Sequence, residues 1–105
     1  MISEIIEINK KIIHGSKVRC EWAWRIIDAA DVLQYINLKG GIVLGGDLLD
    51  DHFEYTYNDW SFEEIRDADD ERNSELSCKK ALRYLELYRS RFGSDHYVIF
   101  VVNWM

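Results

Sequence analysis

The chain has 105 residues, of which 48% are hydrophobic and fourteen are aromatic (four Trp, six Tyr, four Phe), so it can bury one moderate core and falls outside the disordered class. Its formal charge of −6 is unevenly placed: residues 47–71 hold eleven acids (Asp47, Asp50, Asp51, Glu54, Asp59, Glu63, Glu64, Asp67, Asp69, Asp70, Glu71) against one base, Arg66. A stretch of that sign repels nucleic acid and attracts a basic protein surface.

Cys20 and Cys78 are too few and too far apart for a disulfide framework, and there is no CxxC motif. Two free thiols in a reducing compartment are the simplest reading, with a single bridge left open. Nothing resembles a signal peptide, and the apolar run Tyr97–Val102 is too short to span a bilayer. The expectation is therefore one domain over residues 1–105, soluble and cytoplasmic, with no membrane contact.

In chain order, MISEIIEINKKIIHG sets apolar residues at 2, 5, 6, 8, 12 and 13, an imperfect helical stripe interrupted by Asn9. Ser3 can cap it, Glu7 can face Lys11, and Gly15 can end it. The pattern predicts a packing helix, with the β-branched isoleucines leaving a strand as the alternative. SKVRCEWAWRI reads as extended or irregular to Ile27, followed by a helix that Asp28 caps, with Ala29, Val32, Leu33 and Ile36 on one face and Gly40 ending it. Ile42, Val43 and Leu44 make a short central strand. Gly40 and Gly41 turn the chain into that strand; Gly45 and Gly46 shape its exit by a positive φ or a close approach, and Asp47 holds the backbone of the loop beyond.

EYTY (54–57) has strand-forming residues, and Ser61 with Glu64 predicts a capped helical turn over Trp60 or Phe62. RDADDERN (66–73) has no large apolar side chain and reads as exposed loop. The next segment, NSELSCKKALRYLELYRSRFG, carries the strongest helical pattern. Leu76, Ala81, Leu82, Leu85 and Tyr88 or Arg89 lie near one face, Ser74 or Ser77 can cap the start, and Gly93 ends it. Lys79, Lys80, Arg83, Arg89 and Arg91, with Arg72 nearby, give a basic outer face able to neutralise the acidic segment in cis. HYVIFVVNW closes the chain as a buried strand. These elements define an α+β fold, a small layered domain with helices packed on a short β-sheet.

Catalytic signatures are weak. GGIVLGGD lacks the Lys-Ser/Thr of a Walker loop and the spacing of GxGxxG, and its aspartate would repel a phosphate. Asp47, Asp50 and Asp51 with His52 lack EF-hand spacing, and His14, His52 and His96 form no zinc pattern. No metal or cofactor is expected. A small metal-dependent or carboxylate hydrolase centred on Asp47, with Asp59 or Glu63, is one alternative, and an adaptor or oligomer-forming protein is another. What sets the acidic stretch apart from an ordinary solvated loop is the interleaving of Phe53, Tyr55, Tyr57, Trp60 and Phe62. Aromatic anchors among carboxylates suit an interface to a basic protein, the rings supplying desolvated area and the charges steering. The candidate partner-binding residues are Asp50, Asp51, Glu54, Tyr55, Tyr57, Asp59, Trp60, Glu63, Asp67, Asp69 and Asp70.

Trp24, the GIVLGGDLL run (Gly41 to Leu49), the Tyr55 to Trp60 region, Ser77, Ala81 and Tyr84 in the long helix, and the terminal YVIFVV (Tyr97 to Val102) together resemble the immunity protein 40 family. That family belongs among the bacterial immunity proteins of polymorphic and contact-dependent toxin systems. The resemblance spans residues 22–102. It implies a non-enzymatic antitoxin, without catalytic residues, that binds the C-terminal domain of a cognate toxin in the cytoplasm. Many such toxins are nucleases and hence basic, so the resemblance and the charge pattern imply the same kind of partner in a 1:1 complex.

Overall fold

The computed structural model describes residues 2–104, and its first element corrects the sequence expectation. Residues 2–15 do not supply a helix: β1 (Ile5–Ile8) pairs antiparallel with β2 (Lys11–His14). Alternation decides it. Ile6, Ile8 and Ile13 are buried while Ile5 and Ile12 face solvent, a period of two that a helix cannot sort. Asn9 and Lys10 between the strands have φ of 52° and 62°, the pair of left-handed residues that a two-residue type I′ hairpin turn demands.

The 16–25 segment, expected as extended or irregular, is a second hairpin, β3 (Ser16–Val18) and β4 (Glu21–Arg25). A 3-10 turn at Ile26–Asp28 leads into α1 (Ala29–Leu38), which buries Ala29, Val32, Leu33 and Ile36 as expected. Asp28 occupies the cap position without capping by its side chain; its carboxylate instead accepts from Arg25 Nε at 3.1 Å. Gly40, at φ 78°, then turns the chain into β5 (Gly41–Leu49).

This strand is longer than the three-residue run suggested. Gly45 and Gly46 lie inside it rather than at its exit, because β7 (Tyr97–Trp104) pairs with it from Gly41↔Trp104 to Leu49↔Tyr97. Here the absence of a side chain is required. Gly45 has φ 153°, and a Cβ there would collide with the Trp60 carbonyl oxygen; one on Gly46 would collide with the Ile99 carbonyl oxygen and the Trp60 ring.

β6 (Tyr55–Ser61) and α2 (Asp70–Phe92) complete the fold. The main sheet has the order β3-β4-β7-β5-β6, with every described pairing antiparallel. Both helices and the β1–β2 hairpin lie against one face, over a core of Trp24, Val43, Leu48, Trp60 and Val98. On the other face a smaller cluster joins Ala23, Leu49 and Ile99 to Phe53, Tyr55 and Tyr97. The fold class is α+β, helices layered on a β-sheet.

The two serines offered as caps of α2 do something else. The helix starts at Asp70, earlier than expected, because Asp69 Oδ1 accepts the Arg72 amide at 2.8 Å and Asp70 and Glu71 complement the helix dipole. The acid-rich stretch read as loop to residue 73 is thus partly the helix's first turn. Ser74 and Ser77 lie inside the helix and fully under the surface, against β5. Strand β6 pairs with β5 only from Gly45 onward, which leaves the Gly41–Val43 edge for α2 to satisfy. Ser77 Oγ accepts the Val43 amide at 2.9 Å and donates to the Ser74 carbonyl, while Ser74 Oγ donates to the Gly41 carbonyl at 2.6 Å. Two hydroxyls thus replace a missing strand partner for buried backbone groups.

Candidate protein-binding surface

The acidic segment becomes one rim of the sheet. β6 is one of its two edge strands, opposite β3, preceded by the loop 50–54 and followed by residues 62–69. An extended strand of this length covers about 20 Å, with Asp51 and Glu54 at one end, Asp59 along it, and Glu63, Asp67, Asp69 and Asp70 beyond the other. All of these are exposed.

The loop at the first end is held by Asp50. Its Oδ1 accepts the His52 amide at 2.8 Å and the Glu54 amide at 3.0 Å, and the backbone closes the turn through Asp50 N–H to the Glu54 carbonyl at 2.9 Å. The Glu54 amide, foremost, and the His52 amide hold the Asp50 carboxyl below the ordinary value of 3.8, against an opposing effect of burial. The loop-holding role assigned by sequence to Asp47 is carried out here by Asp50. Asp47 itself sits half-buried in mid-strand, directly across from Asp59 and beside Ile99.

Along β6 the register slips. Leu49 faces Tyr55, yet Asp47 faces Asp59, so Thr56, Tyr57 and Asn58 together stand opposite Leu48 alone. Thr56 Oγ1 donates to the Leu48 carbonyl at 2.9 Å, tying down the base of this bulge. Tyr57, at its tip, has φ 64° and is 95% exposed. Tyr55 stays half-buried, its ring 4.9 Å below the Arg19 guanidinium, so the β3–β4 turn reaches across the sheet to the opposite edge.

Trp60 belongs to the core. It is only 8% exposed, stacked on Tyr84 at 5.1 Å and edge-on to Phe100 at 6.0 Å, in space that Gly46 leaves open. The helical turn expected after it is absent: Ser61 ends β6 and residues 62–65 are irregular. Tyr84 titrates above its ordinary value, chiefly through burial and then through the nearby Asp59 carboxylate.

Residues 62–69 are pinned by Asn73, which sequence reading passed over inside a supposed loop. It is 4% exposed. Its Oδ1 accepts the Ile65 amide at 2.7 Å and its Nδ2 lies 3.1–3.2 Å from the carbonyls of Ile65, Ala68 and Asp69. A signal did exist: a buried-type polar residue, four positions past a capping aspartate, in a segment with no apolar anchor of its own. Glu64 is joined to the sheet by the Asn103 amide at 3.1 Å.

Neutralisation in cis does not occur through ion pairs. Among the described residues Lys79 and Arg72 both pair with Glu75, on their own helix, and Lys80 Nζ donates to the Ser61 carbonyl. Among the described residues the eleven carboxylates of residues 47–71 make no salt bridge to lysine or arginine; Asp51 has His52 at 3.6 Å, and Asp50 feels the charges of His52 and His96. No group of three or more His, Cys, Asp or Glu placed to hold a metal occurs among the described residues. Both cysteines are free. Cys20 is exposed, and Cys78 is buried, its thiol pushed up to about 11 by burial. Among those residues no helix is long and apolar enough to cross a membrane.

Fold and charge together define a small α+β protein that presents one bulged, anionic strand edge. The chain belongs to the immunity protein 40 family (Imm40), whose model matches residues 5–102. No curated protein and no solved structure shows a significant match. As an immunity protein it is a non-enzymatic inhibitor of a cognate toxin.

Proposed function

We propose that this immunity protein neutralises a basic, nuclease-like toxin domain in the cytoplasm, forming a 1:1 complex through the acidic-aromatic edge built on β6. One observation carries the reading: among the described residues, the eleven carboxylates concentrated in residues 47–71 make no salt bridge to a lysine or arginine side chain. Carboxylates left unpaired along one rim produce a field that steers a cationic surface and resembles the phosphate line that a nuclease cleft is built to receive. The residues proposed to meet the partner are Asp51, Glu54, Tyr55, Tyr57, Asp59, Glu63, Asp67 and Asp70. Asp50 and Asp69 add charge while holding the loop turn and the helix cap, Gly45, Gly46 and Asp47 lie behind them in β5, and Trp60 supports them from the core.

The experiment is stopped-flow association with the toxin domain encoded beside this chain, over a range of ionic strength. The association rate should fall at least about tenfold between low and high salt. Lysine substitutions at Asp51 and Glu54 should slow association without lowering the melting temperature, since both side chains are exposed and outside the core. A rate indifferent to salt would overturn the electrostatic reading, and a toxin domain of acidic charge would favour the basic outer face of α2 instead.

A further inference from the structure

We infer that Tyr57 is the anchor of this interface, an aromatic platform for one arginine or lysine side chain of the basic partner. The inference rests on the function proposed above and names the contact within it. Three observations converge on this residue. Three residues of β6 stand opposite one of β5, and such a bulge redirects a side chain away from the sheet. Tyr57 at its tip is 95% exposed, the highest value among the exposed large hydrophobics of the described residues. Finally, it holds φ 64°, a left-handed conformation uncommon outside glycine and asparagine and most unusual for a bulky aromatic. Packing does not require a tyrosine there, because the ring is in solvent.

Charge supplies the occupant. Glu54 precedes the bulge and Asp59 follows it, both exposed, with Asp47 directly across from Asp59. A cation centred over the Tyr57 ring gains from the electron-rich face, and the flanking carboxylates can accept its N–H groups. Tyrosine and arginine are the side chains that most often carry binding energy at interfaces, and burying this ring would desolvate the carboxylates beside it. The bulge also keeps the strand from pairing edge to edge, so contact here runs through side chains rather than through an added strand.

The test is the dissociation constant of the complex with the adjacent toxin domain for wild type, Tyr57→Ala, Tyr57→Phe and Tyr57→Gly, alongside the melting temperature of each free protein. Tyr57→Ala should weaken binding at least about thirtyfold, as loss of a hot-spot side chain does, and Tyr57→Phe should retain binding within about threefold because the ring face remains. Tyr57→Gly should lose binding like alanine while melting no lower than wild type, since glycine accepts this φ without strain. Wild-type binding with Tyr57→Ala within threefold of it would overturn the anchor and leave the proposed function standing. No binding by wild type would remove both.

Discussion

Replacing Asn73 with alanine is the most direct way to ask whether the acidic segment is a built surface or a loose tether. The side chain is almost wholly buried, and it serves one backbone amide and three carbonyls between residues 65 and 69. Two amide hydrogens cannot satisfy three carbonyls fully, so about three hydrogen bonds are at stake, each with a net value of roughly 0.5–1.5 kcal/mol. Ile65 and its neighbours lie at the surface, where water can replace part of what is lost, and this moves the expected cost to about 2 kcal/mol. For a chain of this size that corresponds to a melting temperature lower by roughly 8–16 °C. Urea unfolding of Asn73→Ala gives the global cost, and amide hydrogen exchange at Ile65 gives the local one. The Ile65 amide should lose most of its protection, while Val43, bonded to Ser77 further along α2, should lose only what global destabilisation demands. A cost below about 0.5 kcal/mol with Ile65 still protected would show that the clamp is not what holds this segment.

Three further predictions follow from neighbouring features. Asp50 is held below 3.8 by loop amides, so its ionised form adds stability that is fully present above the unfolded pKa and is lost as pH falls through the lower folded value. The stability difference between wild type and Asp50→Asn, measured by urea unfolding, should be flat from about pH 5 to 8 and shrink below about pH 4; a difference constant to pH 2 would refute the assignment. Cys78, with its thiol near 11, should resist a disulfide reagent at pH 8 in the native protein while exposed Cys20 reacts: one thiol titrates folded and two in denaturant, and two fast thiols in the native state would contradict the packing. Gly46→Ala should destabilise by several kcal/mol, on the order of 3, because its Cβ would meet the Ile99 carbonyl and the Trp60 ring at once. Thermal unfolding within 2 °C of wild type would show that β5 can draw away there from the β7 backbone and the Trp60 ring freely.

What could be read from the sequence was decided by which elements depend on near neighbours. The face of α1, the long helix before Gly93 and the terminal strand each carry their pattern in contiguous residues, and the sheet-and-helix class follows from them. The first fifteen residues misled because six apolar positions fit a helical stripe loosely, whereas the two-residue turn at Asn9-Lys10 lacks the glycine that usually marks it. Ser74 and Ser77 looked like caps for a related reason. A hydroxyl near a helix start is far more often a cap, and only the tertiary fold shows that the pairing of β6 with β5 stops at Gly45 of β5 and leaves the rest of that edge to be satisfied from α2. For the candidate surface, the charge was legible but its sorting was not. Composition marks sixteen residues alike, eleven acids and five aromatics, and only the sheet register shows Tyr57 at the tip of a bulge and Trp60 in the core.

The position of that slip ties binding to the survival of the free protein. An outermost strand offers unpaired backbone groups to any other strand, its own copy included. Strand β6 has two defences: a bulge within its seven residues that breaks the regular ladder, and acids in and beside it, Asp59 with Glu54 and Glu63, that repel a second copy carrying the same charge. Neither defence acts against a basic partner. The acids attract it, and the bulge supplies an exposed ring on a base that Thr56 fastens to β5. On the proposed reading, then, a substitution that smooths the edge, by removing Tyr57 and neutralising Asp59 together, should impair toxin binding and increase self-association. Light scattering of such a double variant would distinguish an edge under both constraints from one shaped by solubility alone, because in the second case the variant would aggregate while still binding its toxin at wild-type strength.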